Sequence, residues 1–331
     1  MSTVRLDVEL VRRGLARARG QAEEMVRAGR VSVDGRPATK PAVRVTDAAN
    51  IEVEASADPD WVGRGARKLD GLLDDLANPN IADPDLADPD LAGPDLAGPG
   101  DLDDPDDLAQ VTPSASGEAD RRSDRGPLVQ GRRCLDAGAS TGGFTQVLLD
   151  RGAREVVAVD VGHDQLADVL RADPRVHDYP GTTVRGLDPA DVGGPADLLV
   201  ADLSFISLQV VLPDLMRLVV PGGDLLLLVK PQFEVGRRRL GSGGVVRDPR
   251  LRAEAVEAVA TAALDLGLVV RAVRASRWPG PSGNVEFFLW LTLPLATAVV
   301  DDTVDPLARG AAVGREALAA AVRAAVEKGP T

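Results

Sequence analysis

The chain has 331 residues with 38 Lys plus Arg, 51 Asp plus Glu, two His and one Cys, which is room for two compact domains or one large one. The net charge of −13 is local, because twelve Asp and no basic residue lie between Asp74 and Asp107 and the rest of the chain sums to −1. Two His and one Cys leave little from which to build a zinc site, a histidine triad or an internal disulfide, and no apolar run approaches the roughly 18 residues of a membrane span. Catalysis, if present, falls to Lys, Asp, Glu or the backbone. Cys134, in RRCLDAG, reads as a buried strand position, and with no secretory h-region at the N-terminus a reducing, cytoplasmic setting is expected.

Residues 1 to 45 carry ten Lys/Arg against five Asp/Glu, so a nucleic-acid partner stays open despite the acidic total. Two short helices are expected over 4–30, from Leu6, Leu10, Val11 and Leu15 and then Ala22, Met25 and Val26, punctuated by Gly14, Gly20 and Gly29. Asp34-Gly35 between alternating apolar residues predicts a tight hairpin, with further strands around Val43, Val45, Ile51 and Val53. Residues 77–126 are a different material. NPNIA, DPDLA, DPDLA, GPDLA and GPGDL recur every five residues. Pro in each repeat removes backbone donors, and one Leu in five buries too little to offset chain entropy, so a disordered Asp/Pro-rich insert is expected.

From Arg132 strands and helices alternate. Strands are predicted at 133–136, 155–160, 197–202, 224–230, 269–275 and 285–293, with helices at about 141–151, 164–172, 206–219 and 249–266. Such alternation implies a parallel sheet covered on both faces. The last two strands are joined only by RWPGPSGN, too short for a parallel crossover, so they pair antiparallel. The expected class is α/β: a doubly wound, methyltransferase-type, mostly parallel sheet. An Ala-rich helix of unknown role is expected within the tail, 295–331.

LDAGASTGGFT (135–145) sits at a strand-to-helix turn, where Gly138 lets the backbone approach a ligand, Ser140 and Thr141 can cap the next helix and Gly142 permits tight packing. The second strand ends at Asp160, placed to accept from ribose hydroxyls. Together they describe an adenosine-containing cofactor without fixing which. Ser140 stands where a nicotinamide fingerprint needs Gly, and Asp136 favours a cationic ligand such as the amino or sulfonium region of S-adenosylmethionine. Asp202 and Lys230 end parallel strands and Glu286 opens the antiparallel one, so three ionisable groups converge on one sheet edge.

RLDVELVRRGLARAR, RGARKLDGLL, LDAGASTGGFT, ADLSFISL, VKPQFEVG, GGVVRDP and PGPSGNVEFFLWL resemble the TlyA, or haemolysin-A-like, family of ribosomal RNA 2′-O-methyltransferases, with a catalytic domain similar to the FtsJ (RrmJ) class. The resemblance covers the chain outside 77–126. It implies an S-four-like RNA-binding domain (1–60), an interdomain segment (61–76) and a Rossmann-like domain with a seven-stranded sheet (127–294). It also implies S-adenosylmethionine-dependent methylation of cytidine ribose in 16S and/or 23S rRNA of 30S and/or 50S subunits, with no metal. The family's Lys-Asp-Lys-Glu set carries over to Lys68, Asp202, Lys230 and Glu286, and the cofactor loop to Asp136, Gly138, Ala139, Ser140, Thr141, Gly142 and Asp160.

Among these, Lys230 is assigned as general base and Asp202 as its orienting partner. Burial and the Lys68 ammonium favour the neutral amine a base must offer, whereas the carboxylates oppose it and so serve to orient. Arg5, Arg19 and Lys40 are expected as representative RNA contacts and Phe205 as a base-stacking residue. The chain departs from the family pattern in its long insert and in TTVRGLDP, where Gly186 and Asp188 leave the adenine contact unassigned. Rival readings are an RNA-binding protein with an inactive methyltransferase-like domain and a pore-forming haemolysin. The four retained polar residues argue against the first, and the lack of a membrane span or cationic amphipathic helix against the second.

Overall fold

A computed structural model describes residues 3–16, 19–27, 29–54, 61–77, 126–236, 238–241, 243–280, 282–295 and 306–330, divided into two units, Met1–Gly63 and Arg64–Thr331. The repeats expected to be disordered lie outside the described residues.

The first unit runs β1 (Thr3–Arg5), α1 (Leu6–Arg12), α2 (Arg19–Arg27), β2 (Val31–Val33), β3 (Arg36–Pro37), β4 (Arg44–Thr46) and β5 (Ile51–Val53). β1 pairs with β4, and β2 lies between β3 and β5. Leu6, Leu10, Ala22, Met25, Val26, Val31, Val45 and Ile51 form its core. The β2–β3 turn is the predicted Asp34-Gly35, whose φ values of 51° and 76° are the paired positive angles a right-twisted two-residue hairpin requires. Two carboxylates are buried on α1. Asp7 accepts from Arg5 (3.0 and 2.7 Å) and Arg19 (3.0 Å), and Glu9 from Arg12 (2.7 and 2.5 Å) and Arg13 (2.6 Å). The guanidinium bonds hold both carboxyls well below the usual range, Glu9 at about 2.

The second unit opens with α3 (Gly65–Ala77) and continues through β6 (Arg133–Ala137), α4 (Gly143–Asp150), β7 (Glu155–Asp160), α5 (Asp168–Arg171) and β8 (Val176–Pro180). It goes on with β9 (Ala196–Ala201), α6 (Leu208–Arg217), β10 (Val219–Val229), α7 (Pro231–Glu234), α8 (Pro249–Asp265), β11 (Val269–Ala275), β12 (Phe287–Thr292) and α9 (Pro306–Lys328). The seven strands lie in the order β11-β12-β10-β9-β6-β7-β8, with β12 antiparallel to both neighbours and the remaining pairs parallel. Alternate strand residues such as Leu135, Val157, Leu199, Leu227 and Leu289 pack against α6, α8 and Leu318, Ala321, Val322 and Ala325 of α9. Their neighbours face the other side, where Phe144 of α4 stacks on Phe288 at 6.2 Å. Burial on both faces is why 225–229 reads as an unbroken apolar run.

Besides β1 and α7, which were not expected, two further elements differ from the sequence expectation. β8, VHDYP, was not foreseen: it is an edge strand, half exposed, so it lacks an apolar pattern and tolerates its terminal Pro. Residues 61–76, read as a connection, are mostly the thirteen-residue helix α3, which belongs to the second unit. Ala66, Leu69, Leu72 and Leu73 give it one buried stripe. Arg151 bonds Asp70 and Asp74 (2.5 and 2.6 Å), Arg277 pairs with Asp75, and a Cβ at Gly71 would stand 2.6 Å from the Trp278 ring, so only glycine allows that approach. At its far end, Gly126 returns against Leu76, where a Cβ would lie 2.9 Å from the Leu76 carbonyl oxygen. At the end of the sheet where β10 begins, Trp290 Nε1 and Thr292 Oγ1 both donate to Asp224 Oδ1 (2.9 and 2.8 Å), pinning β12 to β10.

Candidate active site

The glycine-rich turn follows β6. Gly138 (φ 85°) passes so close to the end of β9 that a Cβ would lie 2.8 Å from the Asp202 carbonyl oxygen, and Gly142 (φ 93°) would collide with Leu170 and Leu166. Ser140 also takes a positive φ of 48°. Neither Ser140 nor Thr141 caps α4, contrary to expectation. Gly142 is the cap residue, and Ser140 instead donates from Oγ to Gln165 Oε1 (3.2 Å). Ser140 and Thr141 are exposed, whereas Ala139 is buried with its N–H on the Val159 carbonyl. Asp160 accepts from the backbone N–H of Ser140 (2.8 Å) and of Gly162 (2.7 Å), so it braces the turn while keeping a partly exposed carboxylate.

Asp136 is the buried carboxylate of this group. It is the fourth of five residues in β6 and is fully buried, accepting from Thr145 Oγ1 at 2.7 Å, while its other oxygen, Oδ1, has no hydrogen-bond partner among the described residues. Burial pushes its carboxyl up to about 7, with Asp202 and Asp160 adding to the effect. Asp188 caps the short helical turn at 189–192 by accepting from Ala190 N.

The four polar residues come together at the ends of the strands. Asp202 follows β9, Lys230 follows β10, Glu286 precedes β12 and Lys68 lies in the first turn of α3. Because β12 runs antiparallel to β10 and β11, its beginning shares an edge with the ends of β9 and β10. Lys68 Nζ lies 2.5 Å from Glu286 Oε2, with both side chains buried, and Lys230 Nζ lies 2.6 Å from Asp202 Oδ1. Short stretches of chain join the two pairs. Gln232, two residues after Lys230, donates to Glu286 Oε1 at 3.5 Å; at Gly65, three before Lys68, a Cβ would lie 3.6 Å from Asp202 Oδ2. Gly280 presses on the pair as well, since a Cβ there would sit 2.5 Å from Glu286 Oε1.

Beside Lys230 stands an aromatic step. Lys230 Nζ donates to Ser204 Oγ (2.8 Å) and lies 5.9 Å from the centre of the Phe233 ring, which packs at 5.2 Å against Phe205. Phe205 is 91% exposed and holds φ at 64°, a backbone angle unfavourable for a bulky residue. Phe205 thus presents a large, strained aromatic face to solvent beside the two ion pairs, of which Lys68–Glu286 is buried. Ser204, Gln232, Phe233 and Glu234 were not singled out from the sequence, although all lie in the strings ADLSFISL and VKPQFEVG.

A family profile described as FtsJ-like methyltransferase matches residues 118–293, and one described as S4 domain matches 4–51. The 16S/23S rRNA (cytidine-2′-O)-methyltransferase TlyA of Mycobacterium tuberculosis is 49% identical over 87% of this chain and 89% of its own length. The chain belongs to the TlyA family. Hemolysin A of Brachyspira hyodysenteriae is 28% identical over 86% of this chain and 98% of its own. A solved structure from Streptococcus thermophilus, described as a hemolysin, superposes with a TM-score of 0.61 at 29% identity over 99% of this chain and 97% of its own. Two branches of the TlyA family thus carry haemolysin names, yet among the described residues here no helix is long and apolar enough to cross a membrane.

In this TlyA-family chain the first unit is the S4 domain. Its Lys40, Arg36 and Arg44 are exposed, as are Arg5 and Arg19, which also pair with the buried Asp7. No group of His, Cys, Asp and Glu among the described residues could hold a metal ion.

Proposed function

We propose that this protein is an S-adenosylmethionine-dependent rRNA methyltransferase that methylates the 2′-oxygen of cytidine ribose in 16S and/or 23S rRNA, within cytoplasmic 30S and/or 50S subunits. The observation that carries the reading is the meeting of Lys68–Glu286 and Lys230–Asp202 at one sheet edge, beside a strained glycine turn. The Mycobacterium tuberculosis relative, named for that activity on both rRNAs, supports the substrate class.

S-adenosylmethionine supplies an electrophilic methyl group when bound. The turn fits such a donor: exposed Ser140 and Thr141, glycines where a Cβ cannot stand, and Asp160 with lone pairs left for ribose hydroxyls. Asp136 completes the fit, since an orphaned buried carboxylate oxygen is stabilised by a nearby positive charge.

After losing a proton to solvent, Lys230 Nζ, oriented by Asp202 and Ser204, is a neutral amine that receives the 2′-hydroxyl proton, and the same two partners hold the ammonium so restored. Lys68 and Glu286 fix the second wall of the site, and Phe205 receives the nucleobase on its exposed face. Positioning of nucleophile and methyl group contributes up to about 7 to 11 kcal/mol in such in-line transfers. In the S4 domain Lys40, Arg5 and Arg19 contribute phosphate contacts. The test is incubation of the purified protein with a labelled methyl donor and separate 30S and 50S subunits, followed by mapping of modified riboses. Label on cytidine ribose is expected; label on bases, or on neither subunit, would refute the reading.

A further inference from the structure

Glu234 has no part in the chemistry above, yet it holds two of the site's segments together. It ends α7, four residues after Lys230, and is partly buried. Its carboxylate accepts from Ser207 Oγ (2.6 Å), from the backbone N–H of Leu208 (2.8 Å) and from Gln209 Nε2 (3.3 Å). Those donors open α6, where Ser207 occupies the cap position but makes no side-chain cap of its own. A carboxylate from another element therefore satisfies the helix start, in the place where the helix dipole favours negative charge.

The geometry makes this more than a helix cap. The segment 202–207 holds Asp202, Ser204 and Phe205, and the segment 230–234 holds Lys230, Gln232 and Phe233. Three contacts stitch them in sequence: Lys230 to Asp202 and Ser204, Phe233 to Phe205, and Glu234 to Ser207 and Leu208. The first two leave the Phe205 ring exposed on a backbone at φ 64°, a conformation that persists only when its surroundings impose it. Glu234 fixes the chain two residues downstream of that strained position. We propose that Glu234 is a positioning residue for methyl transfer, a strap that holds the Phe205 turn against the Lys230 turn so that the nucleobase platform and the proton acceptor act as one rigid unit. The proposal rests on the reading of the site as an RNA 2′-O-methyltransferase.

The test uses the full-length protein, single-turnover methylation of ribosomal subunits, and separate titration of the methyl donor. Glu234→Ala is expected to slow methylation at least about tenfold while leaving donor affinity within about twofold. Glu234→Gln keeps an acceptor for Leu208 N and an amide that Ser207 Oγ can accept from, so it should restore the rate to within about threefold. Because the strap acts through the Phe205 turn, adding Glu234→Ala to Phe205→Ala should cost little beyond Phe205→Ala alone, a non-additivity that a general loss of stability would not produce. Should Glu234→Ala fail to fold, Ser207→Ala removes one strap bond and is expected to show the same rate loss in smaller measure. A Glu234→Ala rate within twofold of wild type, no rescue by Gln, or full additivity with Phe205→Ala would overturn the proposal. Failure of the wild-type protein to methylate either subunit would instead overturn the functional reading.

Discussion

Lys68 and Glu286, 218 positions apart in the chain, form a buried ion pair 2.5 Å long, and neither has room to move. Lys68 is fixed by α3, which is clamped through Arg151 and Arg277 and seated by Gly71 on Trp278; Glu286 is wedged between Gly280 and Gln232. Removing one partner leaves an uncompensated buried charge, so Lys68→Met or Glu286→Gln should each cost on the order of 3 to 5 kcal/mol in urea unfolding. The double variant should recover much of that stability and still fail to methylate. Additive losses in the double variant would show that the pair is not a unit.

Lys230→Ala is expected to lower single-turnover methylation by about a hundredfold or more, the range for a positioned general base, while donor affinity stays near wild type. Equal activity in that variant removes Lys230 from the proton-transfer role.

Asp136 gives a pH signature. A carboxyl raised from 3.8 to about 7 in the folded protein contributes stability fully below about 3.8, and that contribution is lost as pH rises through 7. Asp136→Asn keeps an acceptor for Thr145 and cannot ionise, so without methyl donor it should match wild type near pH 5. At pH 8.5 it should be more stable by at most about 3 kcal/mol, the loss wild type suffers between pH 5 and its folded pKa of about 7. Urea melts at the two pH values measure this, and a difference independent of pH would contradict a titrating carboxyl. With the donor present the order should reverse, because the ionised form favours a bound cation.

Replacing residues 78–125 by a short Gly/Ser linker should leave the melting temperature and the methylation rate close to those of the full chain. The two ends already touch, Gly126 against Leu76, so a short closure suffices and relieves chain entropy rather than adding strain. Collapse of the fold on deletion would show that the segment contributes to the core.

The strand-and-helix alternation, the antiparallel last strand and the convergence of Asp202, Lys230 and Glu286 were all legible, because burial on both faces writes continuous apolar runs and strand ends have a fixed meaning in such sheets. Lys68 was reached only through resemblance. Its helix begins where the chain looked like a connection, and the contacts that dock it, Arg151 and Arg277, lie far along the sequence. Asp136 was legible as a carboxylate near a strand end, but its burial and its bond from Thr145 were not, because that partner lies on the following helix α4. The pairing of Arg5 and Arg19 with Asp7 was not legible, because nothing in a sequence announces that this carboxylate is buried. The Ser204, Phe233 and Glu234 contacts join segments some 26 residues apart, a pairing that only folding reveals.

The bonds from Trp290 and Thr292 to Asp224 lie at the opposite end of the sheet from the four polar residues, and they help hold the register those residues inherit. A slip of β12 by one residue would turn Glu286 from one side of the sheet to the other and leave Lys68 facing a backbone. Asp224 is thus an alignment pin: it touches no reactant, but the spacing it enforces is inherited, rung by rung, by the carboxylate at the far end of the ladder.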